Sequence, residues 1–325
     1  MQASPSDDAA NASLLRSGLP YTVAQVNYRL SSKFPYPTPT HDVLAGYDWI
    51  IEHLLPKRSI TRPGRSDHVG RIAVVGELIG GSLATMLALT ECRRGEPGVT
   101  AAAVNSPIVD WMLPGDVDES AESLLQARQD FFAKPAAYFD PFASPILFFR
   151  TPGAEVPVNK PEMDDMTCLS MIEREDFYRQ QMMLSGISNE ESPPTEPTAK
   201  KKASRLFPSK NLNLELPSLY VSCGTTSRLR DQALELTQAM RKSIARSHKA
   251  HLTRAAGFGR KALQDDELDQ MNEEELQVRQ ASEDMAQQKV VLNQQAGSGL
   301  WDQTPAGRRR MGDAVAWLRE KLSAF

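Results

Sequence analysis

Cysteine is scarce in this sequence, with three residues (Cys92, Cys168 and Cys223) among 325. They lie far apart and lack the close pairing of metal sites, which excludes a disulfide framework and fits a reducing compartment. No run of about 18 apolar residues exists, so no bilayer span is expected. The opening residues, Met1 to Asp8, are acidic and carry no apolar stretch, which is not the pattern of a secretory signal. A cytoplasmic location follows as the expectation. An excess of charge is also lacking: 37 basic against 41 acidic residues leave a net charge of -4, so no basic surface argues for nucleic acid. What is present is an apolar fraction of 41%, enough for a sizeable core, and a mean hydropathy of -0.40 that polar insertions pull down. No internal repeat occurs.

Periodicity then organises the chain. Residues 7–17 read as a short helix stopped by Gly18-Leu19-Pro20, and 21–30 as a β-branched, aromatic strand. From Thr40, apolar residues at three- and four-residue spacing (Val43, Leu44, Tyr47, Ile50, Ile51, Leu54) predict a helix that Pro56 ends. Short apolar strands are predicted at 71–76 and 99–104, with a helix from Gly80 to about Arg93 between them. That alternation argues a mostly parallel sheet covered by helices, an α/β fold. Residues 126–132 and 169–184 read as helices in a less regular stretch. Further on come a strand at 217–224, a helix at 229–244, a strand at 251–255, a solvent-exposed acidic helix at 264–288 and a last helix at about 304–322. The expected organisation is an N-terminal part of the core (1–110), a cap-like region (111–215) with a mobile insertion (186–213), and a C-terminal part of the core (216–325).

The stretch Val74-Val75-Gly76-Glu77-Leu78-Ile79-Gly80-Gly81-Ser82 carries the strongest motif. A strand enters a sharp glycine-flanked turn and a helix leaves it at once, which is the layout of a nucleophile elbow. With Asn27-Tyr28-Arg29-Leu30, Pro37, His41-Asp42, Ser144-Pro145, Leu216-Pro217 and Leu229-Arg230-Asp231 around it, the chain resembles the hormone-sensitive-lipase-like branch of the α/β-hydrolases over about residues 20–260. The resemblance implies an α/β-hydrolase core and carboxylic-ester hydrolysis by a serine, histidine and acid triad.

Each chemical position departs from that pattern. The apex holds Leu78, which has no nucleophilic atom. The position of the triad acid holds Ser227, four residues before Asp231, and Gly257-Phe258-Gly259-Arg260 stands where a histidine turn should follow the strand at 251–255. The five histidines are His41, His53, His68, His248 and His251; the last two precede or begin that strand, at the wrong end of the sheet. The resemblance also implies a His-Gly-Gly loop and three leading strands, for which this sequence has no counterpart. An N-terminally incomplete sheet is therefore expected. Either the strands at 21–30 and 71–76 pair directly or a gap stays between them, and whether Met1 is the true start stays open.

Substitutes for the lost groups have bland readings beside the sharp ones. Ser82 lies one helical turn past the apex, where a backbone carbonyl is its expected partner. Glu77 is expected as an exposed elbow residue, Cys223 as buried apolar filler, and Asp231 as a structural residue opening a helix. Asp42 suits the positive end of its helix. Asp164 and Asp165 beside Glu162 have no histidine nearby, and no metal or cofactor is assigned. Lys200-Lys201-Lys202 reads as a solvated run and the acidic stretch 264–288 as a solvated face, with a localisation signal and a basic partner as the alternatives. Function thus divides three ways. The first is a non-catalytic protein binding a small apolar ligand or ester. The second is a hydrolase of esters or amides using Glu77 or Cys223, and the third is a scaffold that pairs with an active homologue.

Overall fold

In the computed structural model the described residues are 5–55, 70–112, 122–152, 205–255 and 265–323. The expected helix at 169–184, the lysine run, Asp164, Asp165 and Glu162 lie outside them. The described elements belong to one compact unit, Met1–Arg150 with Ser204–Phe325, except for residues 151 and 152.

Two helices come first, α1 (Pro5–Gly18) and α2 (Thr38–His53). Strand β1 (Arg71–Glu77) runs straight into α3 (Leu78–Thr90), and β2 (Gly98–Asn105) follows. Helix α4 (Glu122–Phe131) and the 3-10 turns Pro135–Phe139 and Pro145–Phe148 lead on to β3 (Ser218–Gly224). The chain closes with α5 (Arg230–Ala255), α6 (Asp265–Lys289), β4 (Val290–Gln295) and α7 (Pro305–Ser323). The four strands pair in parallel in the order β1-β2-β3-β4.

Helices cover both faces of this sheet. On one face Ala102 and Val104 of β2 join Leu87 and Leu89 of α3, Val43 and Tyr47 of α2, and Leu236 and Met240 of α5. On the other face Ala101 and Ala103 meet Trp301 and the α7 residues Met311, Ala314, Val315 and Leu318, with Leu14 and Leu15 of α1 alongside. The run Ala101-Ala102-Ala103 is buried on both sides, and its small side chains let helices approach the central strand closely.

Two expected strands are absent. Residues 21–30 have no regular secondary structure, and Val26, Tyr28 and Leu30 pack alternately against the core, yet they join no ladder. Alternation needs only one apolar face, whereas a strand also needs a hydrogen-bonding neighbour. This segment and β1 do not pair directly: among the described residues β1 is bonded to β2 alone, and none of its seven residues is fully buried. Arg29 instead ties the segment to α2, its backbone N–H and guanidinium both donating to Asp42. Those bonds hold the Asp42 carboxyl down at about 2. They, rather than a place in the first helical turn, are what stabilise its charge.

The second error is at 251–255, which continues α5 rather than forming a strand. The last strand is β4, which the sequence reading missed. It begins directly after Lys289 and carries Asn293, Gln294 and Gln295, so a half-exposed edge strand reads as polar chain. The acidic stretch before it is helical as expected, although Ser282, Glu283 and Ala286 are buried against the rest of the molecule.

Candidate functional site

Four parallel strands bring their C-terminal ends to one edge of the sheet, which is where open α/β sheets place their sites. Register aligns Glu77 of β1 with Asn105 of β2, Asn105 with Ser222 of β3, and Ser222 with Asn293 of β4. The elbow, Ser227 and the segment leaving β4 therefore share that edge.

Leu78 is the first residue of α3 and has φ 53. A left-handed conformation is costly for a γ-branched residue with a Cβ, by about 1–2 kcal/mol. The sharp strand-to-helix turn has thus been kept with a hydrocarbon at its tip. Leu78 and Ile79 are nearly fully buried, at 5% and 3% exposure, and both belong to the main apolar cluster. The neighbouring glycines are not equivalent. A Cβ on Gly76 would overlap the Gly80 carbonyl, and one on Gly81 would crowd Pro107. A Cβ on Gly80 would meet only the Tyr28 hydroxyl, 3.6 Å away. Close backbone approach therefore requires Gly76, while Gly80 is not required on steric grounds.

Glu77 is not the exposed elbow residue expected from sequence. Its Oε1 accepts from Asn105 Nδ2 at 2.7 Å and from the backbone N–H of Trp301 at 2.6 Å. Burial pushes its carboxyl above the usual range, those two donors pull it back, and Asp8 and Asp7 add to the rise. Asn105 Nδ2 also reaches the Gly299 carbonyl at 2.9 Å, and Asn105 Oδ1 accepts from Ser222 Oγ at 2.8 Å. A polar relay thus crosses the strand ends from β1 to the segment after β4. Sequence reasoning missed it, having read Asn105-Ser106-Pro107 only as a strand stop. Ser106 itself is fully buried with φ 42, and its hydroxyl has no partner among the described residues.

Ser227 sits in the turn between β3 and α5, where its Oγ accepts from the Leu229 N–H at 3.2 Å. This is a local turn bond ahead of the helix, made by a side chain with no carboxyl group. Asp231 lies exposed in the first turn of α5, as expected. The segment after the true last strand, 296–301, reads Ala-Gly-Ser-Gly-Leu-Trp and contains no histidine. Residues 257–260, first matched to the histidine turn, lie outside the described ones. His248 contacts Ser282 between α5 and α6.

Ser82 is buried and directs its hydroxyl at a carbonyl as expected, but that carbonyl is Ala143 O at 3.4 Å rather than its own helix. Cys223 is almost fully buried, and burial pushes its thiol up despite Arg230 nearby. That environment disfavours the thiolate a nucleophile needs. A second unforeseen cluster lies beneath the edge. Arg150 pairs with Asp110 and with Glu235, each at 2.5 Å, and Gln232 brackets the Asp110 backbone. No group of His, Cys, Asp and Glu fit to hold a metal occurs among the described residues, and no described helix is long and apolar enough to cross a membrane.

Known proteins are similar to this chain in part of the sequence and in fold. Residues 3–147 match the family described as alpha/beta hydrolase fold. An ethyl acetate hydrolase of Pseudomonas putida is 31% identical over 145 residues, which are 40% of this chain and 41% of that protein. Esterase LipI of Mycobacterium tuberculosis is 32% identical over 104 residues, 32% of this chain and 28% of that one. The matches span well under half the length of these relatives. Among solved structures, a hyperthermophilic esterase from Pyrobaculum calidifontis superposes with a TM-score of 0.51 at 16% identity, over 97% of this chain and 69% of that one. Carboxyl esterase 2 from the fungus Tuber melanosporum gives 0.51 at 12% identity, over 98% and 74%. With its parallel sheet and two helical layers, and with the family match over residues 3–147, this chain has an α/β-hydrolase-like fold.

Proposed function

We propose that this chain is a non-catalytic member of that fold group, acting by binding a small apolar ligand or ester, or by regulation, rather than by turnover. One observation carries the reading: the elbow apex is Leu78, buried and left-handed, so the turn persists without an atom that can attack a carbonyl. Two further positions agree with it. Ser227, bonded within the turn before α5, stands where an acid would orient a base, and the segment after β4 supplies no histidine. Nucleophilic acyl transfer needs nucleophile, base and orienting acid within hydrogen-bond reach. Loss of the serine or histidine alone costs about 10⁶ in rate. Purified protein is expected to cleave p-nitrophenyl butyrate no faster than its Leu78→Ala variant. Turnover clearly above that control would overturn the reading.

The identified relatives favour a second reading, hydrolysis through a non-standard residue, since both curated matches are named as ester-cleaving enzymes. Glu77 and Cys223 are its candidates. Labelling by a fluorophosphonate or thiol-directed probe at one of them, with turnover lost on its substitution, is the outcome that reading requires. Pairing with an active homologue, the scaffold alternative, would appear as co-purification.

A further inference from the structure

Strand β1 is an unprotected sheet edge. Among the described residues it is hydrogen-bonded to β2 on one side and pairs with no strand on the other. Burial follows that difference. Ala101 to Val104 of β2 are almost completely buried, whereas Arg71 is exposed and Ile72 to Glu77 are half-buried. Ile72 and Val74 pack into the core on one face of β1, and Ala73 and Val75 on the other, so what stays open is the backbone edge. Sheets blunt such edges with proline, lysine or a bulge in the edge strand. β1 has no proline or lysine, and at Ile72/Ala73 the extra residue, Thr100, belongs to β2. The opposite edge strand, β4, carries Asn293, Gln294 and Gln295 and is the more polar of the two. Leu55, after α2, lies against Gly70 at the start of β1, and its neighbour Leu54 is exposed, as is Trp49 one turn before.

We propose that this edge binds a second copy of the chain: two β1 strands pair antiparallel about a two-fold axis at Val74, joining two four-stranded sheets into one. The strand itself selects that occupant. Its sequence, Arg-Ile-Ala-Val-Val-Gly-Glu, complements its own reverse in charge and in volume. In this register Arg71 of each copy stands opposite Glu77 of the other, Ile72 opposite Gly76, Ala73 opposite Val75, and Val74 opposite itself. Opposite charges meet at both ends, and each larger apolar side chain between them meets a smaller one or its own kind. Such cross-strand pairs are what stabilise a sheet. Parallel pairing in register would instead set like charges together at each end. Glu77 has capacity for the contact, because Oε1 serves Asn105 and Trp301 while Oε2 accepts no bond among the described residues. Each copy thereby brings a guanidinium to the carboxylate that precedes the other's apex residue, Leu78.

Sedimentation velocity of the full chain at about 1 to 100 μM is expected to show a monomer–dimer equilibrium. Arg71→Glu sets like charges opposite each other at both ends and is expected to raise the dimer dissociation constant about tenfold. Substituted thiols then map the register, in a Cys168→Ser background because Cys92 and Cys223 are buried. Val74→Cys puts two sulfurs across the axis and is expected to give a disulfide-linked dimer on mild oxidation. Ile72→Cys is expected to give none. Its two copies lie about 13 Å apart along the strands, and a disulfide needs Cα atoms within about 7 Å. The sedimentation result needs no variant, so it decides the matter even if a substitution misfolds. A monomer throughout the range overturns the proposal. So does a dimer indifferent to Arg71→Glu, or one that Ile72→Cys links as readily as Val74→Cys.

Discussion

Leu78 holds two opposed contributions in one residue. Its side chain is buried in the main cluster, which stabilises the fold, while φ 53 places its Cβ in a disfavoured region. Leu78→Ala removes the first and keeps the second, and is expected to cost about 2–4 kcal/mol. Leu78→Gly removes both. It is expected to be more stable than the alanine variant by roughly 0.5–1 kcal/mol, because relief of the left-handed strain exceeds the extra freedom of glycine in the unfolded chain. Urea denaturation of the two variants checks the order, and an alanine variant equal to or better than the glycine one would contradict it. The apex residue was legible from spacing alone, since glycines at 76, 80 and 81 around a strand-to-helix switch leave few conformations open. The state of Glu77 was not. Its partners Asn105 and Trp301 lie 28 and 224 residues away in sequence, and no local pattern announces a contact of that range.

At the level of elements, a buried charge cluster joins the end of β2 to α5 and the turn at Pro145–Phe148. Arg150 and Asp110 are 8% and 5% exposed at their side chains, and Glu235 is 25% exposed. Burial works against the guanidinium's charge, and Glu235 and Asp110 outweigh that penalty and raise it. Arg150→Met leaves two carboxylates facing each other in a poorly hydrated site and is expected to cost about 3–5 kcal/mol at neutral pH. Urea denaturation of both proteins at neutral pH tests this, and a deficit well under that range would exclude the charge explanation. Elements with strong periodicity, such as α2 and α7, were readable because their apolar stripes recur locally. Segment 21–30 and strand β4 were misread for the same reason in reverse. Ladder membership depends on a neighbour, so an alternating segment without one is no strand, while a polar one beside β3 is.

Across the whole molecule the sheet is shared by two apolar layers. Leu236 of α5 and Leu318 of α7 lie on opposite faces, and neither is exposed. Leu236→Ala and Leu318→Ala are each expected to cost about 2–5 kcal/mol. Because the layers grip the same strands, each is expected to lower a single transition monitored by both circular dichroism and tryptophan emission. Two separate transitions would show that the layers unfold independently. The costs should add closely in the double variant, since the sites share no partners.

Composition and local period by themselves determined the class of fold and the position of the strand-to-helix turn at Leu78, because both depend on residue types at short spacing. Tertiary structure alone decided the rest: that 21–30 stays outside the sheet, that Val290–Gln295 closes it, and that Glu77, Asn105, Ser222 and Trp301 meet. Those outcomes depend on which strand ends come to lie side by side, and hydrogen bonds between distant backbones leave no periodic trace in a chain.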